Sequence, residues 1–235
     1  MYQVKLKQGK NKQFAGTEIA GKTLGVIGLG AIGARIANDA VRLGMNVIGY
    51  DPYVSVETAW GLNRAIIRAT EIQEIFKNSD YITIHVPLTP ETKETFNREA
   101  FDLMGKDVTI INFARGELVD NKALFDAIET GVVKRYITDF GTEELLNKDK
   151  IIVLPHVGGS TEEAELNCAI MASQTIRRFL ETGEIINSVN FPNVKQVLTT
   201  PFRITLVNHN VPNIVAKIST AVSELGINID NIINR

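Results

Sequence analysis

The sequence predicts a doubly wound α/β fold, in which helices cover both faces of a parallel β-sheet. Short apolar runs recur through the first two-thirds of the chain, at residues 23–28, 46–51, 65–69, 81–86, 108–112, 135–139 and 151–154. The runs are nearly continuous rather than alternating, as expected of strands that are buried on both faces. Helical patterns lie between several of them, and this alternation of strand and helix is typical of a parallel sheet.

The composition is that of a soluble globular protein, with 44% hydrophobic and 22% charged residues among 235. A formal net charge of -2 gives no general attraction to nucleic acid or anionic lipid. No run has the length of a membrane span or the form of a signal peptide. Lys5, Lys7, Lys10 and Lys12 are interpreted as a solvated segment. Cys168 is the only cysteine, which excludes a disulfide framework and favours a cytoplasmic location.

Capping signals delimit helices between the predicted strands. Thr70 and Gln73 form a candidate capping box at the start of one helix. The apolar face of that helix comprises Ile72, Ile75 and Phe76. Another helix is predicted from about Asn121 to Thr130, and it stops at Gly131, in a position that favours glycine.

The pattern changes after Gly159. Ser160 and Glu163 make a second candidate capping box, and the long helix that follows is predicted to end near Gly183. Its apolar stripe is interpreted as facing a core and comprises Ala164, Cys168, Met171, Ala172, Ile176 and Phe179.

A linker at residues 185–201 leads to a third piece. From Phe202 the pattern predicts a strand (RITLVNH), a helix from about Asn213 to Glu224, and another strand after Gly226. This piece has too few residues to bury a core of its own.

The string GLGAIG indicates a dinucleotide site of the Rossmann type. Gly28, Gly30 and Gly33 follow a predicted strand and open a helix, and Asp51 ends the next strand. Glycines let the backbone approach a pyrophosphate, whose charge is favoured at the helix N-terminus. Asp51 would accept hydrogen bonds from ribose hydroxyls and repel a 2′-phosphate, which favours NAD over NADP.

An arginine and a histidine follow predicted strand ends, where doubly wound sheets bind ligands. Arg115 can grip a carboxylate with two parallel hydrogen bonds. His156, in PHVGGST, is the candidate acid–base group, with Glu143 or Glu144 as the carboxylate that orients it. His85 is interpreted as a partly buried structural histidine.

These segments resemble the D-2-hydroxyacid dehydrogenases from about Phe14 onward. The resemblance is carried, in order, by GVIGLGAIG, YDP, HVPLTPET, INFARGELVD, ITDFGTEELL and PHVGGSTEEAE. The tail narrows it to members that bear a C-terminal ACT domain, a ferredoxin-like α+β fold, and that oxidise 3-phospho-D-glycerate with NAD at the start of L-serine biosynthesis.

The resemblance implies an Arg–Glu–His catalytic triad on Arg115, Glu144 and His156. Glu144 is preferred because it lies at the family spacing after Asp139, which the resemblance places against the nicotinamide amide. No metal is implied. The implied cofactor contacts are Gly28, Gly30, Ala31, Ile32, Gly33, Asp51, Pro87, Thr92, Ala114, Asp139, His156 and Gly158.

Compared with the family pattern, the chain is expected to be an internal portion of a longer enzyme, with NAD binding retained and turnover impaired. The expected parts are a remnant of the substrate lobe (1–20), the NAD-binding domain (21–158), a helix returning to the substrate lobe (159–184), the linker (185–201) and an incomplete ACT domain (202–235).

Two other functions remain open, namely oxidation of another D-2-hydroxyacid and NAD(H) sensing without turnover. The resemblance also implies a homo-oligomer, either a dimer or a tetramer, and a regulatory serine site. Asparagine amides both donate and accept hydrogen bonds, which suits an amino-acid ligand, although turn chemistry explains asparagines equally well. The candidate regulatory residues are Asn208, Asn210 and Asn228.

Overall fold

The computed structural model describes residues 16–234, in two compact units that meet in sequence between His156 and Val157. The lysine cluster at residues 5–12, and most of the expected substrate-lobe remnant, lie outside the described residues. Within residues 16–234, no helix is both long enough and apolar enough to cross a membrane.

The described part of the first unit contains one sheet. Its strands are β1 (Thr23–Ile27), β2 (Asn46–Tyr50), β3 (Ile67–Arg68), β4 (Tyr81–Ile84), β5 (Val108–Asn112), β6 (Val133–Thr138) and β7 (Ile151–Val153). All the pairings are parallel and the strand order is β3-β2-β1-β4-β5-β6-β7. The doubly wound prediction is confirmed. The chain order reverses between β1 and β4, which is where such sheets bind ligands.

Helices cover both faces of this sheet. They are α1 (Ala31–Arg42), α2 (Val56–Trp60), α3 (Ile72–Asn78), α4 (Arg98–Asp102) and α5 (Asn121–Glu129). One apolar cluster joins Val26 of β1 to Ala37 of α1, and the other joins Ile82 and Ile110 to helices including α3 and α5. Burial on both faces explains the continuously apolar pattern of the central strands β1 and β4.

The start of α3 differs by one residue from the predicted capping box. Glu71, not Thr70, is the N-cap, and Glu74, not Gln73, closes the box. The Glu74 carboxylate accepts hydrogen bonds from the Thr70 hydroxyl and from the backbone N–H groups of Thr70 and Glu71. These bonds, led by that of Thr70, lower the pKa of Glu74. An ionised acceptor makes stronger hydrogen bonds than a neutral amide, which favours Glu74 over Gln73.

The predicted end of α5 is confirmed. The helix stops at Glu129, and Gly131 follows with a φ of +78°, a left-handed conformation that glycine adopts without steric cost. At the other end, the Asp120 side chain accepts hydrogen bonds from the N–H groups of Lys122 and Ala123.

The second unit contains α6 (Glu162–Thr182) and α7 (Ile214–Glu224). Thr161 caps α6 by accepting from the Ala164 N–H, so the predicted box on Ser160 and Glu163 is wrong by one residue. The end at Gly183 is confirmed, with a φ of +68°. The expectation that the α6 stripe lies in a core is wrong, because none of residues 157–234 is buried.

Residues 203–209 are described but do not form the predicted strand. The predicted helix after Asn213 is confirmed as α7. Arg203 donates to the carbonyl oxygens of Thr182 and Gln196, and the Thr205 hydroxyl donates to that of Gly183. The segment therefore bonds to the end of α6 and to the linker instead of to a neighbouring strand. A strand without a paired neighbour lacks the ladder that stabilises it.

Candidate active site

The glycine turn between β1 and α1 is shaped by two close backbone approaches. Gly28 has a φ of +89°, and a Cβ there would lie 2.7 Å from the carbonyl oxygen of His85. A Cβ on Gly33 would overlap the carbonyl oxygen of Gly28. At Gly30 a Cβ would meet nothing within 4 Å. Packing thus requires Gly28 and Gly33, whereas Gly30 leaves open space before the exposed first residues of α1, Ala31 and Ile32.

Asp51 lies at the end of β2 and is hydrogen-bonded through both carboxylate oxygens. Oδ2 accepts from the Leu29 N–H and Oδ1 from the Tyr53 N–H, each at 2.8 Å. A carboxylate accepts further bonds through its remaining lone pairs. Asp51 therefore fixes the glycine turn and still has capacity for the predicted ribose contact.

The loop after β4 is held by a partly buried histidine and a threonine. His85 Nε2 lies 2.9 Å from Thr83 Oγ1, and burial lowers the pKa of His85. The Thr92 hydroxyl donates to the Pro87 carbonyl oxygen at 2.6 Å and accepts from the Thr89 N–H. These bonds give His85, Thr92 and Pro87 structural roles, and the predicted cofactor contacts of Pro87 and Thr92 stay predictions.

Arg115 projects from the loop after β5 and is exposed. Its Nη1 donates to the Ala114 carbonyl oxygen at 2.6 Å, and its Cζ lies 5.9 Å from the centroid of the Phe140 ring. This distance is within the range of a cation–π contact. The guanidinium has five N–H donors in a planar fork, which gives it ample capacity for a carboxylate.

His156 stands beside Asp139, where β6 and β7 end. Its Nδ1 lies 3.0 Å from Asp139 Oδ2, and its ring centroid is 4.9 Å from that of Phe140. The Asp139 side chain is only 12% exposed, whereas that of His156 is 61% exposed. Phe140 thus contacts both Arg115 and His156, so the structure brings these two predicted residues to one aromatic ring.

Glu144 makes no hydrogen bond or ion pair with His156 in this structure. Its Oε2 accepts a hydrogen bond from Asn121 Nδ2 at 3.3 Å. Asp139 takes the place beside the imidazole because β6 and β7 pair in parallel and end together. The expected pairing of Glu144 with His156 is corrected to Asp139 with His156, and the catalytic role of Glu144 stays a prediction.

One oxygen of Asp139 suits a ligand amide. Asp139 Oδ1 is buried and accepts a hydrogen bond from none of the described residues. A buried acceptor without a donor costs about 1–3 kcal/mol. The nicotinamide amide of NAD would supply such a donor, and the open space at Gly30 would admit its pyrophosphate. The residues present therefore fit this cofactor.

The other predicted residues lie in the second unit. Gly158 is the second residue of that unit, after Val157. Asn210 lines an open surface cavity of about 500 Å³ beside the start of α7, together with Pro212, Asn213 and Ile214. Asn208 donates to the His209 carbonyl oxygen, and Asn228 is exposed. Neither Asn208 nor Asn228 is among the described residues that line this cavity.

Sequence reasoning missed three residues near the site, namely Asn112, Tyr136 and Phe140. Asn112 is the last residue of β5 and is fully buried, as is Tyr136 on β6. A signal existed for the first two, since an amide closes the apolar run VTIIN and a hydroxyl interrupts RYITD. Phe140 had no comparable signal, because only the fold brings it to Arg115.

The fold and the site define a dinucleotide-binding α/β domain. Residues 1–158 match the family model described as D-isomer specific 2-hydroxyacid dehydrogenase, NAD binding domain. The chain belongs to this family, whose cofactor is NAD.

Similar proteins extend this finding. A D-3-phosphoglycerate dehydrogenase of Methanocaldococcus jannaschii is 42% identical over 199 residues, which are 81% of this chain and 38% of that protein. The D-lactate dehydrogenase of Lactobacillus jensenii with NAD+ has a TM-score of 0.64 and 26% identity, covering 80% of this chain and 60% of that one. The apo D-mandelate dehydrogenase of Rhodotorula graminis has a TM-score of 0.63 and 28% identity, covering 69% of this chain and 49% of that one. The chain thus spans well under half of the curated relative.

Proposed function

We propose that this protein is an NAD-dependent dehydrogenase that oxidises 3-phospho-D-glycerate to 3-phosphohydroxypyruvate. The observation that carries the proposal is the approach of Arg115 and His156 to one ring, that of Phe140, with Asp139 hydrogen-bonded to the imidazole. A cation and a proton-transfer group are what oxidation of a 2-hydroxyacid requires. The 42% identity to a D-3-phosphoglycerate dehydrogenase supports this choice of substrate.

Arg115 would bind the substrate carboxylate. Its planar fork makes two parallel charge-assisted hydrogen bonds, a geometry that a lysine does not reproduce. The contact with the Phe140 ring favours one placement of the guanidinium, so the bound carboxylate also orients the hydroxyl-bearing carbon.

His156 would take the proton of the substrate hydroxyl. With Nδ1 donating to Asp139, Nε2 is the basic nitrogen of the neutral ring, and Asp139 stabilises the imidazolium that forms. NAD, when bound, supplies the hydride acceptor. Asp51 would accept hydrogen bonds from the ribose hydroxyls of NAD, and Asp139 Oδ1 would accept one from the nicotinamide amide.

Oxidation of another D-2-hydroxyacid is the first alternative. Arg115 and His156 would contact only the carboxylate and the hydroxyl of a substrate, which all 2-hydroxyacids share. The structures of similar fold include a D-mandelate dehydrogenase and a D-lactate dehydrogenase. NAD(H) binding without turnover is the second. The hydrogen bond from Asn121 to Glu144 favours it, because the predicted triad carboxylate is bonded to Asn121 and not to His156.

A substrate panel distinguishes these functions. The purified chain is mixed with NAD and 3-phosphoglycerate, D-lactate or D-mandelate, and NADH formation is followed by absorbance. We expect slow turnover by this chain, with the highest kcat/KM for 3-phosphoglycerate and its loss in His156→Ala. A higher kcat/KM with D-lactate or D-mandelate supports the first alternative. Saturable NADH binding without turnover of any substrate supports the second.

The cofactor site has its own test. Asp51→Ala should weaken NADH binding by about tenfold or more, because charge-assisted hydrogen bonds contribute about 1.5–3 kcal/mol each. Asp39→Ala is the matched control, since Asp39 is an exposed carboxylate of α1 that pairs with Arg42. Equal affinity of Asp51→Ala and wild type for NADH, measured by fluorescence titration, would exclude Asp51 from the site.

A cytosolic location, homo-oligomerisation and serine inhibition are further parts of this proposal. The single cysteine supports the reducing compartment. The cavity at Asn210 supports a small ligand in the second unit. In a longer protein that contains this chain, calorimetry with serine should show binding that Asn210→Ala combined with Asn228→Ala abolishes. Equally tight binding by the double variant would remove both residues from a serine site.

A further inference from the structure

A buried polar network lies directly beneath the loop that carries Arg115. The Asn112 carboxamide uses its full hydrogen-bonding capacity there. Its Oδ1 accepts from the N–H groups of Ala114 at 3.1 Å and Arg115 at 3.3 Å. Its Nδ2 donates to the Arg115 carbonyl oxygen at 2.8 Å and to the Tyr136 hydroxyl at 3.1 Å. One side chain therefore holds both backbone polar groups of Arg115.

Tyr136 fixes the orientation of that carboxamide from the neighbouring strand. The residue is 1% exposed, and burial raises the pKa of its phenol, opposed by hydrogen bonds with Asn112 and Thr138. The hydroxyl therefore stays protonated at neutral pH, and it accepts from Asn112 Nδ2. Without this acceptor, a carboxamide donor would be buried unsatisfied, which favours another orientation of the side chain.

The same network reaches the loop that carries Asp139 and Phe140. Thr138 is fully buried, and its hydroxyl accepts from the Phe140 N–H at 3.0 Å. The loops after β5 and β6 are thus tied to adjacent buried side chains. Neither Asn112 nor Tyr136 is within the exposed part of the site, so both act on a ligand only through the residues that they hold.

We propose that Asn112 and Tyr136 are a positioning pair, which sets the place of Arg115 and thereby the affinity of the protein for carboxylates. The inference rests on the proposed carboxylate-binding role of Arg115. Tyr136, on the neighbouring strand β6, thus takes part in substrate recognition indirectly. Its hydroxyl holds Asn112, and Asn112 holds the backbone of Arg115.

The test is a double-mutant cycle with oxalate as the carboxylate probe. Oxalate affinity is measured by calorimetry in the presence of saturating NADH, for wild type, Tyr136→Phe, Arg115→Ala and the double variant. Loss of one buried hydrogen-bond partner should weaken oxalate binding by about fivefold in Tyr136→Phe. In the Arg115→Ala background the same change should have almost no effect, because Tyr136 acts through Arg115.

Two measurements separate positioning from loss of structure. The NADH dissociation constant should change little in Tyr136→Phe, and thermal unfolding should stay cooperative, with a midpoint lowered only by the loss of one buried hydrogen bond. Tyr81→Phe is the matched control, because it also removes one tyrosine hydroxyl. Tyr81 is the first residue of β4, at the end of the strand remote from the site, so oxalate affinity should be unchanged. Should Tyr136→Phe not fold, Asn112→Asp removes the donor of the same hydrogen bond, which also donates to the Arg115 carbonyl oxygen, and should weaken oxalate binding at least as much.

The outcomes are distinguishable. If Arg115→Ala loses oxalate binding while Tyr136→Phe retains wild-type affinity, the positioning role is refuted and the proposed function stands. If Tyr136→Phe weakens binding equally in both backgrounds, its effect does not pass through Arg115 and the inference also fails. If Arg115→Ala binds oxalate as wild type does, the proposed role of Arg115 fails and the inference fails with it.

Discussion

The glycine turn shows how individual residues divide between fold and function. Gly33 is confined by the Gly28 carbonyl oxygen, while Gly30 borders open space, although both belong to one motif. The spacing of the three glycines predicted the turn correctly. It did not reveal which glycine the fold needs and which one borders open space, because that depends on neighbours distant in sequence, such as His85.

A pair of matched substitutions separates the two roles. Gly30→Ala should leave the thermal unfolding midpoint nearly unchanged, because an added methyl group meets no neighbour, and should weaken NADH binding, because that methyl group would occupy the proposed pyrophosphate site. Gly33→Ala should lower the unfolding midpoint, because its methyl group overlaps a backbone oxygen that has little room to move. A Gly30→Ala variant that binds NADH as tightly as wild type would show that the open space is not the pyrophosphate site.

The burial of His85 predicts a pH dependence of stability. Burial lowers the pKa of His85 below its ordinary value of 6.5, so the unfolded chain binds more protons near that pH. The free energy of unfolding should therefore be constant with respect to this group above pH 6.5 and fall as the pH decreases below 6.5. Urea unfolding at several pH values should show a weaker fall for His85→Gln. Identical slopes for the two proteins would contradict the prediction.

Among whole elements, the capped helix α5 was predicted within a residue at each end. The sequence was sufficient here because both determinants are local, namely the Asp120 cap and Gly131. The strand predicted at residues 203–209 was wrong for the opposite reason. A strand requires a partner, and this segment instead bonds to residues at the end of α6.

The Asp120 cap should contribute measurably to stability. Asp120→Ala removes the acceptor for two N–H groups at the start of α5 and should lower the free energy of unfolding by about 1 kcal/mol. Asp126→Ala is the control in the same helix. Its carboxylate is exposed and makes one long ion pair, at 3.8 Å from Arg98 Nη1. Because exposed ion pairs contribute little, the loss of this carboxylate should change the free energy of unfolding by less than about 0.5 kcal/mol. Equal effects of the two substitutions, measured by urea unfolding, would argue against a specific capping contribution.

At the scale of the whole molecule, the two units differ in what the sequence could predict. The first unit has a buried core on both faces of its sheet, and periodicity and the glycine motif predicted its order of elements correctly. In the second unit no described residue is buried, so the apolar stripe of α6 gave a wrong prediction of core position. Amphipathic periodicity shows that a face is apolar, but it does not show what covers that face.

The first unit should fold and bind NADH without the second. A fragment of residues 1–156 should unfold cooperatively on heating and bind NADH with the affinity of the whole chain, because its core lies within its own sheet and helices. Fluorescence titration of the fragment and the chain in parallel measures this. Much weaker binding by the fragment would show that residues after His156, such as the predicted contact Gly158, contribute to the site.

The strand order also has a consequence during translation. The central strands β1 and β4 are neighbours in the sheet, but β2 and β3 lie between them in the chain. The glycine turn is therefore synthesised well before His85, whose carbonyl oxygen packs against it, and before His156, which comes last. Such non-local pairing delays folding, since early segments wait for distant partners. A ribosome-bound chain should thus form its glycine turn only when β4 completes the centre of the sheet, and the rest of its nucleotide site only after β6 and β7 have been added.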